Sequence, residues 1–315
     1  MSMFEKTKIF LKKFPAIVRI VVFCKEALLR PIYSIRWWRP VWYYLINREG
    51  KNLFLNHPPE LNPAERRVAE DLKRYGIAVV HIDELFPEKN LFSELERLAR
   101  ELRLNAKASE RKKFLLDLWE SNTMLDLHHP YVRFSLAEPV LKIISEYMGV
   151  FPKFYYYLLN AALPAEKEQK PVQSQRWHRD PEDKIMCKVF LYLTDVDTGS
   201  GPFTYIKGSH YGGKWRHLFS QKPPHGNYPP EGALEKIIPS RDIFVATAKA
   251  GTMIFCDTSG LHRGGYAKEN ERIMFTAGFI SKASQWRPQY KIPDDLDRQA
   301  SSASLLLRYA LKPWN

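Results

Sequence analysis

Residues 184–210 read KIMCKVFLYLTDVDTGSGPFTYIKGSH, and their reading decides the fold. A run rich in β-branched and aromatic residues, KIMCKVFLYLTDV, meets a Gly/Pro/Asp turn. A second short run, PFTYIKG, follows: strand, turn, strand. The same grammar recurs on both sides. KFYYYLLNAAL (153–163) precedes it, and IFVATAK (243–249), GTMIFCD (251–257), HRGGYA (262–267) and RIMFTAGFIS (272–281) come after. Many short strands at close spacing predict a sandwich or barrel.

Upstream the character is helical. NHPPELNPAE (56–65) reads as a linker in which Asn62 caps a helix from Pro63 to Tyr75, stopped by Gly76. GIAVVHID is then a short buried strand, and LFSELERLARELR and EPVLKIISEYMG are amphipathic helices, the second ended by Gly149. SLLLRYALKPW predicts a last helix packing back on the sheet. The expected class is mainly β with flanking helices, α+β.

At 315 residues and 45% hydrophobic, the chain can bury a full core. Its three cysteines, Cys24, Cys187 and Cys256, form neither a disulfide framework nor a CxxC zinc pattern. A reducing compartment, hence the cytoplasm, is expected. The net charge of +13 is uneven: residues 1–40 hold nine basic and two acidic side chains. FPAIVRIVVFC (14–24) is interrupted by Arg19 and is far shorter than the ~20 residues a membrane span needs. No small-residue cleavage site marks it as a secretory signal. SIRWWRPVWYY (34–44) sets aromatics among arginines. Two readings stay open for residues 1–50: peripheral contact with an anionic membrane, or a basic helix docked on its own domain. Nucleic acid is not indicated, since no binding motif accompanies the charge. The expected division is 1–55, a basic aromatic segment, and 56–315, the main domain.

Chemistry is concentrated in QRWHRDPEDK (175–184). His178-Arg179-Asp180 matches the His-Arg-Asp of a kinase loop, but that loop needs Asn five residues after its Asp, and position 185 is Ile. A lone His-x-Asp is also common in plain turns. What raises this one is a second histidine, His262, beyond a further strand and turn. Two neutral imidazoles and one carboxylate on one face of an octahedron hold Fe(II) and leave three positions for a bidentate cosubstrate and O₂. A bidentate 2-oxoglutarate has a second carboxylate, which an arginine fork suits best. Arg272 lies ten residues after His262, in a strand that a hairpin would bring back to the site. Arg263 neighbours His262 on a strand and should point away. A surface salt bridge to Glu269 or Glu271 is the plain alternative for Arg272.

These pieces, WHRD, LYLTDVDTGSGPFTYIKGSH, FCDTSGLHRGG and ERIMFTAGF, resemble in order the phytanoyl-CoA dioxygenase family of Fe(II)/2-oxoglutarate oxygenases. The resemblance covers roughly residues 65–285. It implies a double-stranded β-helix core of the jelly-roll, cupin-like kind. It implies His178, Asp180 and His262 as iron ligands and Arg272 as the 2-oxoglutarate anchor. It also implies a dioxygenase, a hydroxylase, that consumes 2-oxoglutarate and O₂ and releases succinate and CO₂. The carboxylate Asp180 argues for hydroxylation over halogenation. The substrate class is a small metabolite, a lipid or a lipid-linked molecule. The alternative is a non-catalytic cupin-like metal- or ligand-binding protein at a membrane surface.

Other residues carry paired readings. Asn160 is expected to contact the cosubstrate and Phe190 to pack on it, against plain core packing. Tyr155, Tyr156 and Tyr157 share the strand of Asn160. His210 is expected to structure a turn, Asp257 to cap the turn before His262, and Trp177 to face the core. His128 and His129 are expected to point apart on a solvated helix face. SQKPPHGNYPPEGALEK (220–236) is expected to form a lid.

Overall fold

The computed structural model describes residues 27, 29–87, 90–106, 115–119, 123–164 and 170–313. FPAIVRIVVFC lies outside the described residues.

Among the described residues, nine strands form two antiparallel sheets. The larger has the order β1 (Ile77–His81), β7 (Thr252–Cys256), β4 (Cys187–Tyr192), β9 (Arg272–Ile280), β3 (Lys153–Ala162), β2 (Leu115–Asp117). The smaller has the order β6 (Ile243–Val245), β5 (Thr204–Ile206), β8 (His262–Arg263). Successive side chains of a strand point to opposite faces, and this chain uses both. Val189 and Leu191 of β4, Met253 and Phe255 of β7, and Phe275, Ala277 and Phe279 of β9 share one apolar cluster with the helices. Phe190, Tyr192, Ile254 and Cys256 turn the other way and pack with Phe203, Tyr205 and Ala246 from the smaller sheet and its flanks. Each of these large side chains contributes about 1.5–3 kcal/mol on full burial. The larger sheet is therefore the shared wall of two cores.

The helical layer forms as its sequence dictates. Helix Pro63–Tyr75 starts in a capping box: Asn62 Oδ1 accepts from the Glu65 amide and Glu65 Oε2 accepts from the Asn62 amide, both at 2.9 Å. It ends at Gly76, whose φ of 77° suits glycine. Val68 and Leu72 on one face reach the same cluster as Leu141 and Ile144 of helix Glu138–Met148. Helix Leu305–Leu311 packs back as expected, with Tyr309 against Phe151 at 5.9 Å and its carbonyl accepting from Lys153 Nζ on β3.

Two expectations need correction or division. His128 and His129 precede helix Pro130–Ser135 rather than lying on a helix. His128 is exposed, but His129 is half-buried beside Trp119 and Tyr131, because the chain bends there to bring aromatic faces together. Of the N-terminal aromatics, Trp42 is buried and donates its indole N–H to Asp183 Oδ1 at 2.9 Å. Trp38 and Tyr44 remain exposed.

Candidate functional site

His178 lies in an isolated bridge to His262, the first residue of β8; each backbone amide donates to the other's carbonyl, at 2.9 and 3.0 Å. This pairing sets the two imidazoles side by side, ring centroids 4.1 Å apart. Two residues on, the Asp180 amide donates to Thr258 O at 2.9 Å, so its side chain returns to the same side. One donor atom from each of His178, Asp180 and His262 lies within 4.8 Å of the others, and all three residues are buried. His178 Nε2 is 3.6 Å from Asp180 Oδ1, and His262 Nε2 is 3.4 Å from Asp180 Oδ2.

The backbone selects the tautomers. His178 Nδ1 donates to Arg176 O at 2.8 Å, and His262 Nδ1 donates to Gly260 O at 3.0 Å. Both Nε2 lone pairs therefore face the shared space, the arrangement a metal-bound imidazole requires. Burial holds both imidazoles neutral: it lowers the pKa of His178, and, with His178 opposing a second positive charge beside it, it takes His262 to about 3. Burial alone would raise the Asp180 carboxyl, but the Lys188 ammonium beside it outweighs that effect and keeps the group below the usual carboxylate range. Two neutral nitrogens and one carboxylate fit a divalent transition-metal ion.

Between His178 and Asp180, Arg179 points the other way. Its guanidinium is buried and donates to Ser209 O (2.6 Å), Ser259 O (2.7 Å) and Leu218 O (2.9 Å). It thereby pins the loop that ends at His262. Asp257 caps that turn as expected, its Oδ1 accepting from the Ser259 amide, and its Oδ2 also accepts from Tyr147 at 2.5 Å. His210 is buried with Nε2 on Lys73 O and is not part of the triad. Trp177 turns away into a cluster with Ile206, Leu234 and Leu261.

The triad opens on a cavity of about 260 Å³. One inward row of β9 runs along it: Arg272, Met274 and Thr276 line the cavity, and Gly278 continues the row. Across from these stand Ala162, Asn160, Leu158 and Tyr156 on β3, and Tyr192, Phe190 and Lys188 on β4 stand opposite Met274, Thr276 and Gly278. Arg272 is 4% exposed; its Nη2 donates to Gly264 O at 2.8 Å, Nη1 donates to Gly201 O, and Nε is buried without a partner. Among the described residues no carboxylate pairs with Arg272. Glu271 is taken by Arg103 in a two-pronged pair at 2.7–2.9 Å. A buried cation without a counter-anion is costly, and burial lowers the Arg272 pKa accordingly. The chemistry that would satisfy it is an anionic ligand in the cavity.

Asn160 lines the cavity, with its amide nitrogen committed to Asp117 Oδ1 at 2.5 Å. Phe190 lines it too, 4.7 Å from the Phe203 ring. Arg263 points away over Trp177, 4.5 Å from its ring. The 220–236 segment packs against the triad: Tyr228 stacks on His178 at 5.6 Å, and Gln221 Nε2 donates to Asp180 O at 2.6 Å. Three contributors escaped the sequence reading: Tyr228, Glu182 and Lys188. Lys188 Nζ is 2.6 Å from Asp180 Oδ2 and 3.7 Å from Glu182 Oε1. Burial, and then the Asp180 charge, push Glu182 up to about 7. The alternation of β4 carried a signal for Lys188, which shares the face of Phe190.

No family model matches the chain, and no curated protein matches it. Solved structures do. The epimerase SnoN, in complex with Fe3+, alpha ketoglutarate and nogalamycin RO, superposes with a TM-score of 0.51 at 16% identity, covering 72% of this chain and 87% of that one. The carbocyclase SnoK from nogalamycin biosynthesis, described as non-heme and alpha ketoglutarate dependent, gives 0.50 at 14% identity, covering 78% and 92%. EctD from S. alaskensis with bound Fe gives 0.49 at 16% identity, covering 79% and 89%. At such identities the likeness to SnoN and SnoK establishes the fold: a double-stranded β-helix core with flanking helices.

Proposed function

We propose that the chain is an Fe(II)- and 2-oxoglutarate-dependent dioxygenase, a hydroxylase related to the phytanoyl-CoA dioxygenase family. One observation carries the reading. A His178–Asp180–His262 donor set with both Nε2 atoms facing inward shares a cavity with Arg272, a buried cation that lacks an acidic partner among the described residues. SnoN and SnoK, which share the fold, are described as working with alpha ketoglutarate, and the SnoN structure holds iron.

In this reading His178, Asp180 and His262 hold the ferrous ion and Arg272 receives the distal carboxylate of 2-oxoglutarate. The bound ion would supply the oxidation in which one O₂ converts 2-oxoglutarate to succinate and CO₂ and a substrate C–H to C–OH. The chain's own part is orientation and exclusion of water. Arg176 O and Gly260 O fix the imidazole tautomers, Arg179 fixes the loop that carries His262, and Tyr228 covers one imidazole face. Phe190, Phe203 and Met274 give the cosubstrate end apolar walls, and Asn160 offers its amide oxygen there. Leu115, Leu158 and Leu163 line the same cavity, which suits a small metabolite, a lipid or a lipid-linked substrate.

Anaerobic Fe(II) with 2-oxoglutarate should give a weak visible charge-transfer band, lost in His178→Ala. A folded protein without the band would favour the non-catalytic metal- or ligand-binding alternative. Succinate release screened across acyl-CoA, lipid and sugar candidates would then identify the substrate.

A peripheral membrane contact is proposed for the 1–55 segment, set before an oxygenase domain at 56–315. Ile35, Trp38, Tyr44 and Leu45 are exposed in its described part, interleaved with the exposed Arg39 and Arg48, a composition suited to an anionic interface. Among the described residues no helix is long and apolar enough to cross a membrane. Co-sedimentation with phosphatidylserine vesicles but not with phosphatidylcholine vesicles, reduced by the Trp38→Glu and Leu45→Glu pair, is the expected result. Equal recovery with and without vesicles would remove the contact.

A further inference from the structure

The cavity end remote from Arg272 carries a second buried cation. On β9 the residue there is Gly278, paired with Tyr156 on one side and Lys188 on the other. A Cβ on Gly278 would come 2.3 Å from Tyr156 Cε1, so only glycine leaves room for that ring. The Tyr156 and Lys188 side chains converge over the gap, with Nζ 5.5 Å from the Tyr156 ring centre. From this position Nζ reaches Asp180 Oδ2 at 2.6 Å, a charge-assisted hydrogen bond between buried groups. Glu182 Oε1 lies 3.7 Å from the same ammonium, and Glu182 Oε2 is buried without a partner. Asp180 Oδ1 faces His178 Nε2 at 3.6 Å, while Oδ2, which carries the Lys188 bond, lies 3.4 Å from His262 Nε2.

We infer that Lys188 is a positioning residue: by occupying Asp180 Oδ2 it restricts the carboxylate to ligating the ion through one oxygen. The inference rests on the metal reading above. A carboxylate can offer a metal one oxygen or two. A facial triad works with one, because bidentate 2-oxoglutarate and O₂ need the other three positions. A second Asp180 oxygen on the ion would take one of them. Lys188 prevents this at a cost, since an ammonium beside a cation site opposes metal binding. Glu182 moderates that cost by keeping the ammonium compensated while Asp180 shares its charge with the ion.

The test separates metal binding from cosubstrate binding. Purified full-length protein, Lys188→Met and Lys188→Arg are compared for Mn(II) affinity by paramagnetic resonance of free Mn(II), and for 2-oxoglutarate affinity of the Mn(II)-loaded protein. Lys188→Met should bind Mn(II) at least as tightly as wild type. It should bind 2-oxoglutarate about 10- to 100-fold more weakly, the range outer ligand partners usually command. Lys188→Arg, which keeps a cationic donor, should recover most of that loss. Unchanged 2-oxoglutarate affinity in Lys188→Met overturns the inference and leaves the metal reading standing. A parallel fall of both affinities with a lower melting temperature also overturns it, as the mark of a merely structural role. Wild-type protein that binds no Mn(II) brings down the metal reading itself.

Discussion

Replacing Arg272 by methionine separates the ligand role of this side chain from its structural one. The structure supplies both sides of the comparison. Arg272 is 4% exposed and, among the described residues, faces no carboxylate, so methionine relieves a buried charge whose effective desolvation cost is several kcal/mol. Against this, the donations to Gly264 O and Gly201 O are lost, at about 1.5–3 kcal/mol each for hydrogen bonds from a charged donor. The two effects are of similar size and opposite sign, so ligand-free stability should change little. The ligand-bound state has no such compensation. Removing one partner of a buried, hydrogen-bonded ion pair costs about 3–5 kcal/mol, or roughly two to nearly four decades in 2-oxoglutarate affinity at 1.4 kcal/mol per decade. Thermal unfolding with Mn(II), with and without 2-oxoglutarate, measures it. A ligand at a hundred times its Kd adds about 2.7 kcal/mol, which raises wild-type Tm by several degrees. Arg272→Met should lose that increment and keep the Mn(II) increment, while Arg272→Lys, with the charge but not the planar fork, should fall between. A full 2-oxoglutarate shift in Arg272→Met would refute the anchor role.

Three further outcomes follow from the geometry. Tyr228→Ala uncovers the His178 ring face, so Mn(II) affinity should hold within about threefold, below the usual outer-partner effect, while 2-oxoglutarate turnover without substrate rises, read as succinate. Gly278→Ala drives a methyl into Tyr156 and should destabilise by about 1–3 kcal/mol in urea denaturation; the loss should shrink in a Tyr156→Leu background, and equal losses in both would refute the contact. Lys153 is buried, donates to Tyr309 O at 2.8 Å, and burial lowers its pKa to about 7. Its folded pKa thus lies below the unfolded 10.5. Between about pH 7 and 10 the unfolded chain binds the extra proton, so this group makes stability rise with pH by up to ~1.4 kcal/mol per unit. Lys153→Met should flatten that component, and identical slopes for both proteins between pH 7.5 and 9 would contradict it.

Much of the site was legible because it obeys local rules. The capping box at Asn62 and the stop at Gly76 are written in a few consecutive residues. Arg272 could be placed because it follows His262 by ten residues in a strand that returns to the site, and in β9 the alternate residues Ile273, Phe275, Ala277 and Phe279 fill the helical side. What escaped depends on distant partners. Trp42 was visible as an aromatic among arginines, but its burial requires Asp183, 141 residues away. Tyr228 sits in a turn-rich stretch without periodicity, and the pairing of Asn227 O with the Arg179 amide brings it over His178. His129 looked solvated because its shelter, Trp119, comes from a separate stretch of chain.

Lys188 is the instructive intermediate case. A charge inside KIMCKVFLYL breaks an apolar run, and a strand buried on both faces should not tolerate it without partners. Alternation alone puts it on the side of Phe190. The register then does the rest: six residues along β9, at ~3.3–3.4 Å each, separate the rows of Arg272 and Gly278 by roughly 20 Å. Lys188 shares the Gly278 row, so the two buried cations occupy opposite ends of one inward face, with the triad's cavity between them. A one-residue slip of β9 would send Arg272 into the helical layer and turn Phe275 toward the histidines. The outward apolar set of β9, by filling that layer, is therefore what holds the inward polar set in place. The geometry of the candidate site is in this sense a consequence of the core behind it.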